Sequence, residues 1–104
     1  MSRSIYANRR RDKLQIVRDI LDLSKDGIRK THIMYQANLS FKLLEAYVNC
    51  LVGQGLLRVV EKPVTTYVTT ERGFEFLKEF KEIERYMHLA VEKREALVQM
   101  MSRR

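Results

Sequence analysis

The sequence predicts a mainly α chain carrying one β-hairpin, and three observations predict it. Apolar residues recur at three- and four-residue steps in separate stretches before Gly53, and again after Thr70. Between Leu56 and Thr69 that period gives way to two short β-branched runs, parted by Lys62-Pro63. Gly27, Asn38-Leu39-Ser40, Gly53 and Gly55 supply the stops. The resulting order is helix, helix, helix, hairpin, helix. That is the order of a winged helix-turn-helix followed by a long C-terminal helix; a plain helical bundle has no place for the hairpin.

Taken from the N-terminus, residues 1–12 have no apolar period and are expected to form a loose basic arm. Arg9, Arg10 and Arg11, with Lys13 behind them, read either as a solvated helix start or as a phosphate-contacting arm. A winged domain is expected over residues 13–70. Its first helix runs from Lys13 to Lys25, with Leu14, Ile16, Val17, Ile20 and Leu21 inward and Arg18, Asp19 and Asp22 outward. Gly27 is free to take a left-handed cap, and Ile28-Arg29 is a short extended link.

The stretch Lys30–Leu57 reads as two helices joined by a three-residue turn. Ile33, Met34 and Ala37 give the first an apolar side. Ser40 is a natural N-cap for the second, because its hydroxyl can accept an orphan N–H of the first turn. Leu43, Leu44, Tyr47, Val48 and Leu51 then share an inward face, with Tyr47 and Leu51 expected to be largely buried under the first helix. Lys42, Glu45, Ala46 and Asn49 fall on the other face. Cys50 is placed on the inward or flanking side as a small packing residue. The hairpin follows, with Pro63 in its turn because it has no N–H to donate to a ladder. Thr70 caps the last helix, Glu71 sits at its positive end, and Gly73 lets it pack close to the hairpin.

Nothing breaks that helix between Glu71 and Met101, roughly 45 Å at 1.5 Å per residue. Residues 71–104 are therefore read as a dimerisation helix. Phe76, Phe80, Ile83, Met87, Ala90, Arg94, Leu97 and Met101 alternate by four and three, the spacing of a left-handed coiled coil. Phe74 and Leu77 are expected on the winged domain instead. A parallel pair would stack Arg94 on Arg94, so the two copies are expected antiparallel, Met87 facing the partner's Ala90 and Ile83 the partner's Arg94. Folding back on its own domain is the alternative for this helix.

Composition narrows the function. The chain has 104 residues, 45% apolar and 32% charged, enough for one small folded domain. No apolar run suggests a membrane span or a secretory leader. One cysteine rules out an internal disulfide and fits a reducing compartment, the cytoplasm. The net charge is +7, which favours an anionic partner, nucleic acid first. Residues 1–28 carry seven basic and four acidic side chains, residues 29–70 five and two, and residues 71–104 eight and seven. The excess therefore surrounds the helix-turn-helix. His32, His88 and Cys50 lack the spacing of a metal site, and there is no Gly-rich phosphate loop. No enzyme activity, cofactor, metal or small-molecule substrate is expected.

The run KTHIMYQANLS, the apolar helix and GLL strand start after it, and Thr70-Glu71-Arg72-Gly73 resemble a known family. It is that of small archaeal winged-helix DNA-binding proteins with a C-terminal antiparallel coiled coil. The resemblance is strongest over residues 30–77 and implies a homodimeric double-stranded DNA binder, either a chromatin-associated, nucleoid protein or a transcriptional regulator. On the residues themselves, the helix from Ser40 would enter the major groove with Ser40, Lys42, Glu45, Ala46 and Asn49. Lys42 suits a phosphate or a guanine edge; Asn49 suits adenine, or is simply solvated. Arg29 and Lys30 suit backbone phosphates, and Arg58, Lys62 and Thr65 suit a wing contact, with Arg58 alternatively a solvated strand residue. The competing reading is a winged-helix protein-interaction module whose heptad helix binds a different protein.

Overall fold

The computed structural model describes residues 11–102; Arg9 and Arg10 of the basic arm lie outside them. Helices α1 (Lys13–Leu23), α2 (Lys30–Ala37) and α3 (Phe41–Gly53) lead into strands β1 (Leu57–Val60) and β2 (Thr66–Thr69), and then into α4 (Glu71–Ser102). The strands pair antiparallel, Leu57 with Thr69 through Val60 with Thr66. Ile28 adds an isolated bridge to Tyr67, so the short link after α1 is a third, minimal strand. This is a winged helix-turn-helix with a long C-terminal helix.

Local chemistry sets the boundaries. Asp12 and Gln15 form a reciprocal capping box at the start of α1, a signal the sequence reading passed over. At its other end α1 stops at Leu23, two residues short of Lys25. Buried Ser24 explains the early stop: its hydroxyl donates to Ile20 O at 2.8 Å while its carbonyl turns away to accept from Thr69 N at 2.9 Å. Thr69 Oγ1 also donates to Leu21 O at 2.6 Å, tying β2 to the end of α1. Asn38 takes the left-handed conformation that ends α2, and the Ser40 hydroxyl accepts from Leu43 N as expected.

The core is a wedge between α1, α2, α3 and the hairpin. Ile20, Leu21, Ile33 and Leu44 are fully buried, each contributing about 1.5–3 kcal/mol by removal from water. On α3 the buried line is Leu44, Val48 and Leu51. Leu43 is 43% exposed and Tyr47 only half-buried, correcting their expected inward places, and Cys50, expected inward or flanking, is exposed and does not pack. The buried face is a narrower strip of the expected one, and these three lie outside or at the edge of it. Leu14 likewise stands 47% exposed on α1.

Helix α4 is 32 residues long and gives the molecule its 66 Å principal extent. Thr70 Oγ1 accepts from Gly73 N at 3.1 Å and donates to Gly55 O at 2.6 Å, so one hydroxyl both caps α4 and holds the turn before β1. Gly73 sits against the strand start: a Cβ there would lie 2.5 Å from Leu56 O and 2.6 Å from Thr69 Cγ2. Phe76 and Leu77 pack on the core, and Phe80, only 6% exposed, stacks on Phe76. Phe74 remains 44% exposed instead of packing inward. Phe80, and most of Phe76, are thus consumed by their own domain, which removes the outer two layers from the expected intermolecular seam. Beyond Glu84 every described residue of α4 is exposed.

Candidate nucleic-acid interface

Lys42, Ala46 and Asn49, spaced by four and three, share the side of α3 turned away from the Leu44–Val48–Leu51 line, and all three are exposed. Ser40 is exposed at the N-terminus of the same helix. On the wing, Arg58 is exposed on β1, and Lys62 and Thr65 are exposed in the connection to β2. Arg29, also exposed, is the residue before α2. The structure thus leaves Arg29, Lys42, Arg58 and Lys62 as cations presented to solvent around the helix-turn-helix and wing.

Three other candidates are engaged inside the fold. Lys30 Nζ pairs with Glu45 Oε2 at 2.7 Å and lies 5.6 Å from the Tyr67 ring centroid and 6.0 Å from that of Phe41. The Glu45 hydrogen bond holds the ammonium above its ordinary value, against a partial burial that would lower it. The pair pins α2 to α3 and draws Glu45 towards the α2 side. Arg11 is no loose arm. Its guanidinium donates to Ala37 O at 2.6 Å and Asn38 O at 3.3 Å, the free carbonyls at the C-terminus of α2, and pairs with Asp19 at 2.7 Å.

Asp19 is the centre of a chain of charges invisible to periodicity. Arg18 reaches its other oxygen at 2.8 Å, and the same guanidinium pairs with Glu84 of α4 while lying 5.2 Å over the Phe80 ring. Arg18 and Asp19, expected outward, have side chains only 18% and 11% exposed. The network fixes the turn before α3 to α1, and α1 to the long helix. The sequence signal available was weak: an Arg-Asp pair on a helix whose polar face is otherwise thin.

Among the described residues, no cluster of His, Cys, Asp or Glu could hold a metal ion, and no helix is long and apolar enough to cross a membrane.

A three-helix unit, a turn fixed by a left-handed Asn38, an outward helix face and a hairpin wing define the winged helix-turn-helix class. The chain belongs to that family, whose sequence profile matches residues 10–88. An uncharacterized protein of Methanocaldococcus jannaschii is 32% identical over 80 residues, covering 76% of this chain and 36% of that protein. The chain therefore spans about a third of that archaeal relative. Among solved structures, Sso10a-2, a DNA-binding protein from Sulfolobus solfataricus, superposes with a TM-score of 0.78 at 20% identity, over 90% of this chain and all (100%) of that one. A MarR family protein from Bacillus stearothermophilus does so with a TM-score of 0.60 at 18% identity, over 97% and 82%. At these identities the structural likeness speaks for the fold alone.

Proposed function

We propose that this protein binds double-stranded DNA as a homodimer, with no catalytic role. In this reading it is a nucleoid-associated protein of the cytoplasm, either architectural or a transcriptional regulator. The observation that carries the reading is the outward face of α3. It is solvent-exposed, carries Lys42 and Asn49, and is surrounded by the exposed cations Arg29, Arg58 and Lys62. Charge-balanced α4 has no such excess. The helix would lie in the major groove, Arg29 and Lys42 on phosphates, and Arg58, Lys62 and Thr65 on the backbone beside the wing. Sso10a-2, described as a DNA-binding protein, lends the reading support.

The dimer rests on the distal part of α4. Ile83, Met87, Leu97 and Met101 are 42%, 53%, 62% and 85% exposed, and Val91 and Val98 widen their line at 56% and 47%. A stripe of that size left in water has no folding rationale and fits a second copy. Met87 would face the partner's Ala90, and Ile83 the partner's Arg94, whose aliphatic stem covers it while the head reaches solvent. With Phe76 and Phe80 buried in their own domain, the partner's Leu97 and Met101 would instead cover the α1 end around Leu14.

Tyr35 and Phe41, 75% and 55% exposed, favour a second reading in which the helix-turn-helix docks on another protein. Fluorescence anisotropy with a random-sequence duplex at several salt concentrations separates the two. Phosphate neutralisation requires log affinity to fall linearly with log salt. Salt-independent or absent binding contradicts the DNA reading.

A further inference from the structure

The outward face of α3 has a chemistry more particular than positive charge. Its central line is Lys42, Ala46 and Asn49, and the exposed Leu43 and Cys50 flank it. Leu43 is 43% exposed and stands outside the core, so packing does not account for it. Arginine, the commonest bidentate reader of guanine, is absent from α3. Glu45, the one carboxylate on the helix and the natural acceptor for a cytosine amino group, is held by Lys30 at 2.7 Å. Asn49 makes no side-chain hydrogen bond with the described residues, so its carbonyl and amide are both available. An amide that accepts and donates side by side matches adenine, which offers N6–H and N7 in the major groove. Apolar Leu43 and Ala46 match the thymine methyl.

Resting on the DNA-binding reading above, we propose that α3 reads A·T pairs in the major groove, Asn49 hydrogen-bonding an adenine edge and Leu43 with Ala46 packing on thymine methyls. Lys42, in the first turn of the helix, is assigned to phosphate; a preference for the G·C-rich duplex would assign it to a guanine edge instead and overturn the inference.

The test uses the full chain and fluorescence anisotropy on four duplexes of equal length. One is A·T-rich and one G·C-rich. The third replaces every thymine of the first by deoxyuridine, which removes only the methyl groups. The fourth replaces its adenines by 7-deaza-adenine, which removes only N7. The expected result is a preference for A·T over G·C of about tenfold or more. Deoxyuridine should weaken binding by about fourfold per methyl buried, and Leu43→Ala should blunt that loss. The 7-deaza duplex should weaken the wild type but not Asn49→Ala. Both substitutions are at exposed positions, and a thermal melt verifies that each variant is folded. Salt-dependent binding that is equal on all four duplexes overturns this inference and leaves the DNA reading standing. An A·T preference that survives both base replacements assigns the readout to the minor groove and also overturns it. Absence of binding to any duplex overturns both.

Discussion

Gly73→Ala tests how α4 leaves the winged domain, and hence what would set the spacing of the two DNA-binding faces in the proposed dimer. The added Cβ would lie 2.5 Å from Leu56 O and 2.6 Å from Thr69 Cγ2. Ordinary contact requires a retreat of roughly 1 Å. The nearer atom is a backbone carbonyl, which has no rotamer to escape into, and it already accepts from Thr70 N at 3.1 Å. Forcing the helix outward costs about 1–3 kcal/mol, and stretching the Thr70 hydrogen bond adds about 1 kcal/mol. Alanine's better helix propensity offsets up to about 1 kcal/mol. The net expectation is a loss of about 1–3 kcal/mol, or a fall in Tm of about 4–8 °C for each kcal/mol. The assay is a pair of thermal melts at equal protein concentration, since the proposed dimer would make Tm depend on concentration. Gly53→Ala is the control: a Cβ there meets nothing within 4 Å, so that variant should melt at or above the wild type. A Gly73→Ala protein as stable as the wild type would refute the close approach.

The other predictions follow from particular contacts. Asp19→Ala leaves Arg11 and Arg18 facing each other in a site where the Asp19 side chain is 11% exposed, and should cost about 2–4 kcal/mol in urea unfolding; a loss under about 0.5 kcal/mol would mean the network is ornamental. Leu51→Ala, at 3% exposure, should cost about 2–5 kcal/mol, while Leu43→Ala should stay within about 0.5 kcal/mol, and a reversed order would mean α3 is rotated differently. Lys42→Ala and Arg29→Ala should each weaken duplex binding and reduce the salt slope by about one charge; unchanged slopes in both would place the phosphate contacts elsewhere. On a Cys50→Ala background, an Ile83→Cys/Arg94→Cys variant should crosslink between chains with residue 83 joined to residue 94. A monomer in sedimentation, or crosslinks from 94 to 94, would contradict the antiparallel register.

The element order was legible because its punctuation is chemical. Ser40, Thr70, Gly27, Gly55 and Asn38 each answer a backbone need that a short window of sequence reveals. The rotation of α3 was harder to read. Leu43, Leu44, Tyr47, Val48, Cys50 and Leu51 are all apolar, so several faces satisfy the period and only the neighbours choose among them. The heptad on α4 misled in a related way. Phe76 and Phe80 continue the line of Ile83 and Met87, but α1 lies against the first turns of the helix and takes them for the domain's own core. In the sequence Arg11 looks like a solvated helix start or part of an arm, because a capping partner 26 residues away leaves no trace in local pattern. The same holds for Lys30 and Glu45, whose opposite charges meet only once α2 and α3 are docked.

The central claim is that duplex DNA meets the outward face of α3 and the wing. Amide chemical shifts recorded while a short duplex is titrated into the labelled protein test it most directly. Changes are expected to concentrate at Arg29, Ser40, Lys42, Ala46, Asn49 and the wing from Arg58 to Thr65, with residues 85–102 of α4 little affected. Changes confined to α4, or a silent α3 in the presence of saturating duplex, would contradict it.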